Sequence, residues 1–306
     1  MSSQSVLLIG AGGYIGRAVA QEFLSQKSKF ARVAILADLP KVGKFAEISS
    51  EGMEVVVGNF LEPNSFKGFT IVICMLGNHA MKHQPAIIDV AISAGVTNFY
   101  PSEFGSDISQ GAYLSNRYFR DKQITREHLT KAAEHHKGFG YTLMVTGSFA
   151  EYAAHPAFGV DPDQGTFDFF GPKEKKEPFT GILDIAKYVV ASVLMLESKF
   201  ETENPCRTFR IPTATYSWEE VIETLSRVQG KKYTCTYHQT SEAHALAKKY
   251  ASEGDVDREL GYSLKAIIGG PNEEGVPKPW DHDKFPDINP ESLELSLRRY
   301  FGKQEQ

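Results

Sequence analysis

A continuous apolar run, Val6 to Ile9, is followed at once by the glycine-rich GAGGYIG, in which Gly10, Gly13 and Gly16 are spaced three apart. Few folds place such a loop between a buried strand and a helix. Without Cβ atoms the backbone turns tightly and comes close to a pyrophosphate held at the helix N-terminus. Gly12 is a fourth glycine in the turn, and Tyr14 and Ile15 open the helix, where Ile15, Ala18, Val19 and Phe23 recur at helical spacing. The motif predicts a bound dinucleotide.

The alternation continues. Strands are expected at Arg32 to Ala37, Glu54 to Val57, Thr70 to Leu76, Asn98 to Tyr100 and Tyr141 to Val145, with helices around Lys41 to Ser49, near Asn64, over Pro85 to Ala94 and over Asn116 to His136. Repeated β-α units predict an α/β fold with a parallel, doubly wound sheet. After about Glu151 the texture changes to HPAFGVDPDQGTFDFFGPKEKKEPF, loop-like and rich in Gly, Pro and aromatics, which marks a smaller substrate lobe. Asp184 to Leu196 is helical in pattern and Thr208 to Ile211 returns a strand to the sheet, so the lobes interleave. Residues 1–155 and 180–213 are assigned to the dinucleotide domain, and 156–179 and 214–306 to the substrate lobe. In that lobe, Trp218 to Gln229 reads as a helix capped by Ser217, and Ile268 to Asn289 as a surface loop before a last helix, Pro290 to Phe301.

Composition narrows the function. The 33 basic and 38 acidic residues leave a net charge of -5, with no surplus to attract nucleic acid or an anionic membrane. The apolar run from Ile185 to Leu196 carries Lys187 and is too short to span a bilayer. Cys74, Cys206 and Cys235 are far apart and odd in number, which speaks against a disulfide framework or a thiolate zinc site and for a reducing, cytoplasmic setting. The first strand begins almost at the initiator Met and leaves no room for a leader peptide. His79 and His83 are four apart but have no third ligand type nearby, so no metal is expected. No G-x-S-x-G or H-E-x-x-H supports hydrolysis.

Three groups of residues carry the expected chemistry. Asp38 ends the second strand, 22 residues beyond Gly16, where a carboxylate accepts from the adenosine ribose hydroxyls and selects NAD(H). Lys41 and Lys44 follow, and an ammonium there holds the extra phosphate of NADP(H), so both cofactors stay open. Tyr118 and Lys122 are four apart in a helical segment continued by Thr125 and Leu129, a Y-x-x-x-K pair on one face. In such a pair the lysine, Lys122, lies near the cofactor ribose, which it helps to bind, and lowers the phenol pKa, and the tyrosine passes a proton to the oxygen or nitrogen that receives charge as a hydride reaches carbon. Ser102 and Ser106 sit at the strand end where open α/β folds bind ligands, and Glu103 between them reads as structural. Phe158, Phe167, Phe169 and Phe170 serve either as the mouth of a pocket for a flat ligand or as core.

YPSEFGSD, Tyr100 to Asp107, resembles the P-S-E-F-G signature of the isoflavone reductase-like (phenylcoumaran benzylic ether reductase) family, within the NmrA-like branch of atypical short-chain dehydrogenases/reductases. GAGGYIG, AIIDVAISAGV, DKQITREHL, YTLMVTGSFAEY, ILDIAKYV, RTFRIP and SWEEVIETL are similar in the same order, and VTGSFAEY and FPDINPESLE are similar to fungal members. The resemblance implies a Rossmann domain with a smaller C-terminal lobe, a preference for NADP(H), and a catalytic lysine that falls on Lys122. It places Gly77 and Asn78 beside the cofactor and Gly147, Ser148 and Phe149 along the nicotinamide. Tyr118 departs from the family, whose members usually lack it, and so does Asp38, where an arginine is common. The implied activity is reduction of a small aromatic or heterocyclic secondary metabolite at an imine, enone or benzylic carbon, by a monomer or homodimer. The alternative is a non-redox NmrA-like protein, either a cofactor-sensing regulator or an isomerase or cyclase that keeps the dinucleotide in its pocket.

Overall fold

The computed structural model describes residues 4–196, 205–270 and 275–302. Strands β1 (Ser5–Ile9), β2 (Arg32–Ala37), β3 (Glu54–Val57), β4 (Ile71–Cys74), β5 (Asn98–Tyr100) and β6 (Gly140–Val145) form a sheet in the order 6-5-4-1-2-3, all paired in parallel, with β11 (Cys206–Arg210) beside β6. The connections carry helices α1 (Tyr14–Ser25), α2 (Ala46–Ser50), α3 (Asn78–Met81), α4 (Gln84–Ser93) and α5 (Arg120–His135), and α6 (Ile182–Met195) precedes β11. The direction of winding reverses between β1 and β4. With right-handed crossovers this reversal puts helices on both faces, the doubly wound arrangement of a Rossmann fold.

Burial on both faces explains why these strands read as unbroken apolar runs. Leu7, Ile9, Ala34, Leu36, Val72 and Cys74 pack in one core with Ile87, Ile88 and Ala91 of α4 and Leu129 and Ala132 of α5. The alternate residues Val6, Leu8, Val33, Ile35, Ile71 and Ile73 are equally buried.

The chain divides into two compact units, one drawn from 1–103, 121–144 and 185–209 and the other from 104–120, 145–184 and 210–306. The second unit takes in segments before the assigned boundary at residue 155. Ile108, Tyr113, Phe119, Ala150, Ala153 and Ala154 bury their side chains in its core, which claims their segments. The stretch expected to be loop holds three strands: β8 (Val160–Asp161), β9 (Thr166–Phe170) and β10 (Lys176–Thr180). β9 pairs with β8 and with β13 (Thr234–His238), and β10 with β7 (Ser148–Phe149) and β12 (Ala214–Ser217). Gly and Pro at the ends of these short strands hide their pattern in the sequence, and β9 finds β13 only after a long excursion of the chain.

Helix α7 (Trp218–Gln229) opens with a full capping box, in which the Ser217 side chain accepts from Glu220 N–H and the Glu220 carboxylate accepts from Ser217 N–H. Helices α8 (Thr240–Glu253) and α9 (Val256–Ile268), absent from the sequence reading, stack Tyr250 on Tyr262 at 5.4 Å. The expected loop at Ile268 to Asn289 includes residues 271–274, outside the described part, and a short turn at His282–Lys284; the last helix, α10, is Leu293–Gly302. All three cysteines are free thiols. Among the described residues no helix is long and apolar enough to cross a membrane.

Phe158, Phe167 and Phe169 are buried around the Trp218 indole at ring distances of 5.6, 5.6 and 5.0 Å, with Phe179 edge-on at 5.9 Å. Phe170 is buried against Tyr262 and His238. These four phenylalanines, Phe158, Phe167, Phe169 and Phe170, are core and do not line a mouth. Trp218→Ala is expected to cost the second unit about 3–5 kcal/mol, measured by urea unfolding followed by circular dichroism. Trp218→Phe keeps the stacking and removes an indole N–H that has no partner among the described residues, so it should cost markedly less.

Candidate functional site

The glycine loop leaves β1 beside the exit of β4. Gly10 has φ +83°, and a Cβ there would lie 2.7 Å from the Met75 carbonyl oxygen. A Cβ on Gly16 would lie 2.2 Å from the Gly10 carbonyl oxygen, so these two glycines are demanded by packing. Gly12 and Gly13 are exposed; a Cβ on Gly12 would only touch the Phe45 ring at 3.4 Å, and one on Gly13 would crowd the Gly10 carbonyl oxygen at 3.2 Å, so glycine keeps the outer surface of the loop bare. Gly13 is the N-cap of α1, with no side chain capping the helix and no acid in its first turn. Helix-start N–H groups lack intrahelical acceptors, and the helix dipole adds positive charge. Tyr14, Ile15 and Gly16 open this helix start, which fits the pyrophosphate of a dinucleotide.

A cavity of about 210 Å³ adjoins the loop, lined among others by Gly12, Gly13, Asp38, Lys41, Lys44 and Leu76. Asp38 starts a 3-10 turn, Leu39–Phe45, where a helix was expected, and its carboxylate accepts from Lys41 Nζ at 2.6 Å instead of capping the turn. Both side chains remain substantially exposed, so the pair is cheap to open. Lys44 lines the same cavity.

Lys122 is placed by α5, whose buried face is Lys122, Thr125, Leu129 and Ala132, the spacing expected from the sequence. Its Nζ donates to the Glu103 carbonyl. Burial pushes the ammonium down to about 8; the Glu103 carboxylate opposes this shift and the Arg126 guanidinium adds to it. Glu103, 1% exposed, receives two bonds from Arg126, at 2.9 and 2.7 Å. Ser102 is held twice, its N–H donating to Gln84 Oε1 at 2.7 Å and its hydroxyl to the Leu76 carbonyl at 2.8 Å. Leu76 lines the cavity, so these bonds tie the lysine's surroundings to the nucleotide cradle.

Tyr118 does not share a helix face with Lys122. The Asn116 side chain accepts from Tyr118 N–H and caps a separate 3-10 turn, Arg117–Phe119, and α5 begins only at Arg120. The Tyr118 ring stands edge-on to Phe119 at 5.1 Å and packs on the core of the second unit. Gly77 caps α3 with open space around it, and Asn78 begins that helix. Gly147, Ser148 and Phe149 belong to the second unit. Gly147 has φ +67°, and a Cβ there would lie 2.4 Å from the Pro178 carbonyl oxygen; Ser148 Oγ donates to Glu177 Oε1 at 2.7 Å, and Phe149 is edge-on to Tyr152. Burial raises Glu177 to about 7, against the Ser148 bond and the Lys175 charge. Ser106 is buried in the second unit. Among the described residues no three His, Cys, Asp or Glu side chains gather as a metal site; His83 lies 6.0 Å from the Phe60 ring. The sequence reading missed Arg126 and Gln84. Arg126 had a signal, since it sits one turn beyond Lys122; Gln84 had none.

The model of the NmrA-like family matches residues 2–256. This chain belongs to the NmrA-like family. This NmrA-like chain is 28% identical over 252 residues to oxidoreductase aprR of Aspergillus flavus, which covers 81% of the chain and 82% of the relative. It is 27% identical to the bifunctional pinoresinol-lariciresinol reductase of Forsythia intermedia, with coverage of 76% and 78%. In structure it is similar to AtPrR2 with NADP+ and (+)pinoresinol (TM-score 0.74, 20% identity, 98% and 99% covered). It is also similar to the leucoanthocyanidin reductase–NADPH complex of Vitis vinifera (TM-score 0.74, 20% identity, 97% and 99% covered). At these identities the structural likeness shows the fold.

The folded protein holds the Lys122 proton less tightly than an unfolded chain, where the value is 10.5. The cost of burying the charge is therefore present below about 8 and is relieved as pH rises through 8 towards 10.5. Lys122→Met should stabilise the protein at neutral pH by up to about 3 kcal/mol, with the advantage shrinking in alkali. Urea unfolding at the two pH values tests this, and an advantage that does not change with pH would mean the ammonium is not desolvated.

Proposed function

We propose that this NmrA-like protein is an NAD(P)H-dependent reductase of a small aromatic or heterocyclic metabolite, acting at an imine, enone or benzylic carbon. The observation that carries this reading is a buried lysine, Lys122, linked through Glu103, Ser102 and Leu76 to an acid-free glycine cradle at a helix start. The names of the relatives support it: an oxidoreductase, a pinoresinol-lariciresinol reductase, and complexes with NADP+ and NADPH.

The backbone from Gly10 to Gly16 would hold the pyrophosphate, and Asp38, Lys41 and Lys44 the adenosine side. NADP(H) is the assigned cofactor, with Lys41 and Lys44 meeting its extra phosphate while Lys41 also neutralises Asp38. When bound, the nicotinamide supplies a hydride. Lys122, depressed to about 8, is mostly protonated at neutral pH yet a stronger acid than an ordinary lysine. From Nζ it gives a proton to the substrate oxygen or nitrogen that takes up charge. Gly77, Asn78 and Ser102, all of the first unit, would stand on the nicotinamide side.

Incubating the purified protein with NADPH or NADH and a panel of lignan-like, enone and imine substrates, and following nicotinamide absorbance, tests the activity. Tight NADPH binding without oxidation by any substrate would favour the non-redox regulator or isomerase reading. Lys122→Ala should lower turnover on the order of a hundredfold or more while leaving the fold intact by circular dichroism. Tyr118→Phe should keep near-normal turnover, because its ring is committed to the core packing of the second unit. Asp38→Arg removes the one carboxylate among the cavity residues named here and should raise the ratio of NADP(H) to NAD(H) affinity, measured by titration with each cofactor; an unchanged ratio would place the carboxylate away from the ribose.

A further inference from the structure

We infer that Glu103 is a positioning residue for Lys122: its backbone carbonyl fixes the ammonium, and its carboxylate, clamped by Arg126, balances the charge buried around it. The inference rests on the reading of Lys122 as the acid-base group. Two cations one helical turn apart on α5 converge on this single residue, Lys122 on the carbonyl and Arg126 on both carboxylate oxygens. The lysine, the carboxylate and the guanidinium are all largely withdrawn from solvent, where charges act on one another more strongly than at the surface.

The loop that carries Glu103 is not free to shift. Glu103 N–H donates to the Pro101 carbonyl at 2.8 Å, and Ser102 is tied to Gln84 and Leu76. Gln84 Nε2 in turn reaches Thr125 Oγ1 on α5 at 3.4 Å, and Thr125 is bonded to the Asp121 carbonyl. The groups brought by α4 and by the end of β4, Gln84 and the Leu76 carbonyl, are uncharged; burial depresses the lysine most, and Glu103 and Arg126 are the charges that adjust it from there. Glu103 favours the ammonium and Arg126 opposes it. A salt bridge serving only to fasten the loop to the helix would disturb the lysine in the same way whichever partner was lost. A clamp that sets its charge makes the two losses opposite in sign.

The test is a pH titration of Lys122 in the full chain by NMR of lysine labelled at the ε-carbon, with its resonance identified by loss in Lys122→Arg. Glu103→Gln, which keeps the shape of the side chain, should move the Lys122 midpoint down. Arg126→Met should move it up, and Arg126→Lys, which keeps the charge, should restore the unsubstituted value; this last variant also serves where Arg126→Met does not fold. Midpoints that stay in place, or move in one direction in both Glu103→Gln and Arg126→Met, would overturn the proposal. The pH profile of kcat/KM for the reduction is measured on the same variants. Midpoints that separate as expected while this profile stays fixed would uphold the clamp and remove Lys122 from the chemistry.

Discussion

The close approach of Gly10 to the exit of β4 is the contact on which the first unit depends. β1 and β4 are neighbours because the sheet reverses its winding between them, and Met75 N–H donates to the Ile9 carbonyl as the two strands end together. The turn that follows must rise over Met75 and fold α1 back onto its own start. Gly10 permits the first move through a positive φ, and Gly16 permits the second by leaving room for the Gly10 carbonyl. That packing brings the start of α1 back over the end of β1, and the helix start there has a glycine N-cap and no acid in its first turn, which makes the cradle.

Burial of Lys122 is the second constraint. A lysine withdrawn from water is unfavourable in its charged form, and the structure offsets this with one carbonyl, one carboxylate and a rigid loop. The same bonds that lessen the cost also orient the amine, and the loop they pin is the segment between β5 and the second unit. A fold chosen for stability alone would place a leucine at position 122. The ammonium sits there at an energetic disadvantage, and this is the physical ground for the proposal that it carries chemistry.

The second unit is organised differently. It lacks long strands, and its core is aromatic, with Trp218 at the head of α7 surrounded by rings from β9, β10 and the turn at Phe158. Short strands such as these gain little from their ladders alone, and the rings supply the buried area that holds them. A buried glutamic acid, Glu177, is held there by Ser148 with its second oxygen unpartnered among the described residues.

The alternating strands and helices of the first unit, the glycine cradle, the helical face of α5 that carries Lys122, Thr125 and Leu129, and the Ser217 cap were legible in the sequence; the spatial order of the strands was not. Each of the legible features is written in local spacing, a glycine at every third residue, apolar residues three or four apart, or a serine three before a glutamate, and local spacing needs no partner to be read. The separation of Tyr118 from Lys122 was not legible, because whether Asn116 starts one helix or caps a short turn ahead of another depends on the core that receives the Tyr118 ring. The aromatics at 158–170 read equally as mouth or core until β13 supplied the pairing for β9. The Glu103 clamp joins a loop after β5 to the helix that carries Arg126, and its meaning comes from burial, which only the tertiary structure decides: the same carboxylate and guanidinium in water would be a weak surface pair, whereas withdrawn from water they act on the buried lysine beside them.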